Sequence, residues 1–108
     1  MPFAGNEKHD IALADAAALT RNHRNANAAG PNLVKAVFFG KDALITILDQ
    51  AGCVGVRCYF ARTDKQQPTL VLVGTTADQN DMTNGAIMEV GLPCPPFCDT
   101  SNSVLNGG

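Results

Sequence analysis

The sequence predicts an α+β domain: two N-terminal helices packed on a three-stranded antiparallel meander, followed by an irregular Pro/Cys segment. Three observations carry this. Apolar residues recur at helical spacing up to about residue 50 and at a spacing of two from residue 54. The stretch 69–74 (TLVLVG) is apolar on both faces, as a central strand requires. The order helix, helix, strand, strand, strand favours a meander with helices on one of its faces.

Taken in order, residues 1–9 are small and polar and read as a loose arm before a domain spanning 10–92. Ile11 to Arg24 reads as the first helix, with Leu13, Ala16, Ala17, Thr20 and Arg24 on one face. That face is rich in alanine, so it approaches a neighbour closely but buries little. Arg21, His23 and Arg24 lie in the last turn, where cations favour the helix dipole. Asn25 to Asn32 is a linker broken by Gly30-Pro31-Asn32. A second helical stretch runs from about Leu33 to Gln50, bent or restarted at Gly40, with Leu44, Ile47 and Leu48 sharing a face. Gly52 is placed to close it in the left-handed conformation.

Next, Val54, Val56, Cys58 and Phe60 alternate with Gly55, Arg57, Tyr59 and Ala61, the signature of a half-buried strand. Thr75 to Gly85 is a polar loop ending in the turn signal Asn84-Gly85, and Ala86 to Val90 is a short third strand. Pro93, Pro95 and Pro96 argue against regular structure in 93–108, whose last ten residues read as a mobile tail. The meander leaves one face partly open. Arg57, Tyr59, Val71, Val73 and Ile87 are assigned to it, and the first four are the candidate contact residues for a partner.

Composition narrows the function classes. A chain of 108 residues is one domain that buries roughly two-thirds of its unfolded surface. With 45% hydrophobic and 17% charged residues, it has the balance of a folded chain. The net charge of −2 argues against a nucleic-acid partner. All eight Lys and Arg lie at or before Lys65, so the remainder carries only acidic charge, which allows head-to-tail attraction between copies. No signal peptide or apolar run of membrane-spanning length is visible. The default expectation is therefore a cytoplasmic protein with reduced thiols, which export without a signal peptide would reverse.

The four cysteines fall into two pairs. Cys53 and Cys58 point to opposite faces if both lie in one strand, and Cys58 then joins Val56 and Phe60 in the core. Cys94 and Cys98 bracket Pro95-Pro96-Phe97, which spans about 12 Å if extended. A disulfide needs Cα atoms within about 7 Å, so pairing them requires a turn. Their spacing also fits a zinc ligand pair, with Cys53 as third ligand. Free structural thiols, a disulfide, a metal site and redox chemistry all stay open here.

Other motifs fall short. Gly40-Lys41 lacks the earlier glycine and the Ser or Thr of a phosphate loop, and Asp78 to Gly85 lacks the closing Glu of a calcium loop. Both serines lie in the tail, which disfavours a serine-based triad.

The strings Val37-Phe38-Phe39-Gly40-Lys41, Gln50-Ala51-Gly52-Cys53-Val54-Gly55-Val56-Arg57, Leu70-Val71-Leu72-Val73-Gly74 and Pro93-Cys94-Pro95-Pro96 resemble a family of short bacterial proteins with no known activity. The resemblance implies a fold unit over residues 11–98 and no catalytic or binding residue. The residues point to a non-enzymatic module that contacts protein, itself included. The alternative is a small metal-binding or thiol-redox protein using Cys94, Cys98 and Cys53.

Overall fold

A computed structural model describes residues 2–26 and 34–107. Its elements are α1 (Leu13–Ala26), β1 (Ala36–Phe38), α2 (Lys41–Leu48), β2 (Cys53–Arg62), β3 (Pro68–Thr76), β4 (Ile87–Met88) and β5 (Leu92–Cys94). The fold is α+β. β2, β3 and β4 form the antiparallel meander with β3 in the centre, as the doubly apolar TLVLVG stretch requires. The linker break at Gly30-Pro31-Asn32 lies outside the described residues.

Two expectations are corrected. The stretch 33–50 is not one helix: Ala36–Phe38 is a strand, and the helix begins only at Lys41. Gly40 is its N-cap in extended geometry (φ −65°, ψ 152°). Val37, Phe38 and Phe39 are β-branched and aromatic, and a short apolar run cannot be assigned by periodicity alone. A distant partner decides it, because β1 pairs antiparallel with β5, Val37 standing opposite Pro93. The prolines therefore do not exclude regular structure, and the boundary drawn at 93 cuts through a strand. Both strands of a two-stranded sheet are edges, the setting in which proline is tolerated.

The termini are also tied down. Phe3 N–H donates to Ala77 O at 2.8 Å, so the arm is anchored rather than loose. The tail forms turns around Asp99, and Arg24 and Lys35 donate to the carbonyls of Leu105 and Asn106, both at 2.9 Å.

Helix-to-sheet packing comes from α2, which contacts β2 and β3. Its Ile47 is fully buried (0% exposed), worth about 1.5–3 kcal/mol relative to exposure. Gly74 makes room for the turn after the helix: a Cβ there would stand 2.8 Å from Gln50 Nε2 and 3.1 Å from Cys53 Sγ and Met82 Sδ. Gln50 fastens the helix end, donating to Ile47 O and accepting from Ala86 N–H, both at 2.8 Å. Gly52, at φ +85°, sits in the turn into β2 rather than directly at the helix end. α1 presents the alanine face expected of it, yet none of its residues is buried, and it is not a second layer of comparable weight on the sheet.

Candidate interaction surface

The β2–β3 register sorts side chains onto two faces. Arg57 stands opposite Val73, Tyr59 opposite Val71, and Val73 opposite Ile87, so these five share a face as their alternation required. That face is less open than expected. Val73 is 4% exposed and has no surface to offer a partner, whereas Tyr59 is 46% exposed and Val71 half-buried.

An ionic cluster accounts for part of the closure. Arg57 pairs with Asp81 at 2.5 Å and donates to Gln79 O at 3.2 Å, while Tyr59 O–H donates to the second oxygen of Asp81. The Arg57 guanidinium also lies 5.8 Å from the Phe3 ring centroid, so the arm covers the same cluster. The Tyr59 hydrogen bond, then Arg57, holds Asp81 below the usual carboxylate range. The Asp81 carboxylate in turn raises both Arg57 and Tyr59 above theirs. All three groups move away from neutral pH, opposite to what acid–base catalysis needs. The cluster clips the β3–β4 loop to β2. No local signal in the sequence marks Asp81 for this, because its partners lie more than 20 residues away.

The cysteines do not converge. Cys94 and Cys98 form a disulfide with Cα atoms 4.7 Å apart. The chain turns as that pairing demands: Phe97 N–H donates to Pro93 O at 2.9 Å and Cys98 N–H to Pro96 O at 3.0 Å. Sulfurs bonded to each other are not thiolate ligands. Cys53 begins β2 in the other sheet, where its thiol donates to Gly55 O at 3.2 Å. Among the described residues, no three His, Cys, Asp or Glu side chains gather as a metal site would need. Cys58 corrects a further expectation, since it is an exposed free thiol and not a core residue.

The reason lies on the other face of the meander. Val56, Cys58 and Phe60 share it with Gly74, Leu72 and Leu70, their cross-strand partners. Leu48 of α2 shares a cleft with Val54, Val56 and Cys58, and Gln50 comes up against Gly74. At the far end Phe60 is 94% exposed beside an apolar groove of about 240 Å³. The groove runs between β1 and the β2–β3 hairpin and is lined by Val34, Val37, Pro68 and Leu70. β2 is also an edge strand, hydrogen-bonded to β3 on one side only.

No helix among the described residues is long and apolar enough to cross a membrane. No protein-family model matches the chain, nor does any curated protein or solved structure.

Proposed function

We propose that this chain is a non-enzymatic interaction module that completes its apolar burial against protein, in the first place against further copies of itself. One observation carries the reading. A compact monomer of this mass exposes about 5,700 Å², whereas this chain exposes 7732 Å². The radius of gyration agrees, at 15.4 Å against about 13 Å for a compact domain of this length. Among the described residues, fifteen large apolar side chains are exposed and five apolar residues are buried. A chain built this way gains by covering surface, and a low charge density opposes association only weakly.

Light scattering across a hundredfold concentration range tests it. A molar mass that rises with concentration, or sits at a multiple of 11.3 kDa, is expected. A single monomer mass at every concentration overturns the self-assembly reading.

The disulfide supports a second reading, of the compartment. Cys94–Cys98 pairing suits an oxidising environment better than the cytoplasm. Thiol counting on protein isolated natively from its host, with free thiols trapped at lysis, is expected to find two per chain. Four would return the protein to a reducing compartment.

A further inference from the structure

We infer that the cleft between the N-terminal arm and β2 is a binding site for a small uncharged molecule that presents a carbonyl oxygen on an apolar body. This goes beyond self-assembly and does not depend on it.

The cleft holds about 660 Å³, within the range of small-molecule sites. It lies where β2 carries its register shift, between Cys53 and Gly55. The arm forms one wall. Gly5 lets it come close, because a Cβ there would stand 3.0 Å from Val54 O. Phe3, anchored by its N–H to Ala77 O, brings an aromatic ring to the lining. Leu48, Val54 and Val56 add aliphatic surface for an apolar body.

One polar side chain in the wall has nothing to bond. Thr75 lines the cleft and is 3% exposed. Among the described residues, its Oγ1 is the buried side-chain oxygen left without a hydrogen-bond partner. Such a hydroxyl destabilises the fold unless something satisfies it, and bulk water does not reach this one. Gly55 stands directly opposite Thr75 and contributes no side chain. A Cβ at Gly55 would meet nothing within 4 Å. Directly opposed residues share a face, with Cβ positions about 4.5–5.5 Å apart. A group lodged in the space left at Gly55 therefore comes alongside the Thr75 side chain.

Arg57 sets the chemistry of that group. Two places along β2 from Gly55, it projects from the same side of the strand and lines the cleft. Its bonds to Asp81 and to Gln79 O both leave from Nη1. A guanidinium has further N–H donors on Nε and Nη2, and it accepts no hydrogen bond. The group it shares with Thr75 is therefore an acceptor. A single carbonyl oxygen has two lone pairs, one for the Thr75 O–H and one for an Arg57 N–H.

Charge favours a neutral carbonyl over a carboxylate. Asp81 already balances Arg57. Glu7 adds a negative charge to the lining, its oxygens accepting from the N–H groups of Ala4 and Gly5. A carboxylate ligand meets like charge from both acids, whereas an amide or ketone brings the same acceptor without that cost.

Titration with phenylacetamide, followed by amide NMR shifts, tests the site. The amides of Gly55, Arg57 and Thr75 should move together, with a dissociation constant on the order of 1 mM, ordinary for so small a probe. Phenylacetate and 2-phenylethylamine, which keep the ring and change the head group, should bind more weakly. Thr75→Val keeps the shape and removes the unbonded hydroxyl, so its stability in urea should hold or rise. Its affinity for phenylacetamide should fall about fivefold, the scale of one neutral hydrogen bond. Gly55→Val places methyl groups in the open space and should block the probe in a protein that still folds. No shift change up to about 20 mM phenylacetamide, far above that dissociation constant, overturns the site. So does affinity unchanged in both variants. A Thr75→Val protein that loses stability would show the hydroxyl engaged within the fold, and tighter binding of phenylacetate would overturn the uncharged carbonyl. Light scattering reads self-assembly separately, so a monomeric protein that binds the probe overturns that reading alone.

Discussion

At the Gly74 end of the meander, Gln50 of the turn after α2, Cys53 and Met82 close in on the glycine. At the Phe60 end, the same alternation ends in one of the most exposed aromatic positions a folded chain can present. The strand chemistry is alike in both halves. What differs is what lies beside it: Leu48 and Gln50 at one end, the groove lined by Val34, Val37 and Leu70 at the other. A strand's alternation specifies which side should be covered. It does not specify that the same chain will do the covering.

Four measurements break or sharpen this contrast. The largest effect belongs to the sealed end: Ile47→Ala should cost about 2–5 kcal/mol of unfolding free energy, read by urea titration. A loss below about 1 kcal/mol would mean that Ile47 is not the anchor of the sheet. Next comes the turn that follows β5. Replacing Cys94 and Cys98 together by Ser should cost about 2 kcal/mol, the chain-entropy value for so short a loop, and unchanged stability would show that the 94–98 turn holds without its crosslink. Gln50→Ala should cost about 1–2 kcal/mol, because Ala86 N–H loses its acceptor. Hydrogen exchange at Ala86 should quicken in this variant while the β2–β3 amides keep their protection.

The smallest effect is read in pH. Asp81, Asp99 and Glu7 all have carboxyls held below their ordinary values, by the Tyr59 hydroxyl for Asp81, the Ser101 backbone N–H for Asp99 and the Ala4 backbone N–H for Glu7. Groups lowered in the folded state add stability that is complete above the unfolded pKa, near 4, and is lost as pH falls through the folded values. Tyr59 is raised, so its contribution is complete below about pH 10 and is lost as pH climbs through its folded value. Asp81→Asn should flatten both the acid and the alkaline limbs of a stability–pH curve, because the shifts of Asp81 and Tyr59 that create them are lost together. A curve that overlays wild type would mean the cluster does not couple to folding.

Much of the fold was legible because it is local. The helical face of α1, the alternation in β2, the two-sided apolarity of β3 and the polar β3–β4 loop each follow from residues within a few positions of one another. The segment 36–38 was misread for the opposite reason. Three apolar residues suit either a helix or a strand, and β5 settles the matter from more than fifty residues away. The Arg57–Tyr59–Asp81 cluster and the Gln50 clip were hidden in the same way, since nothing near Asp81 or Gln50 announces its partner. For Cys94 and Cys98 the local chain left pairing open, and a turn closed by two backbone hydrogen bonds brings them together.

By itself the sequence determined the class of fold, the identity of the central strand and which side of β2 is apolar, because periodicity and composition act over a few residues. Tertiary structure alone decided that Cys58 and Phe60 lie uncovered, that Val73 is closed to partners and that two of the four thiols are joined. Burial depends on which distant elements arrive at a surface, and a pattern of spacing carries no record of where an eight-residue helix will stop short.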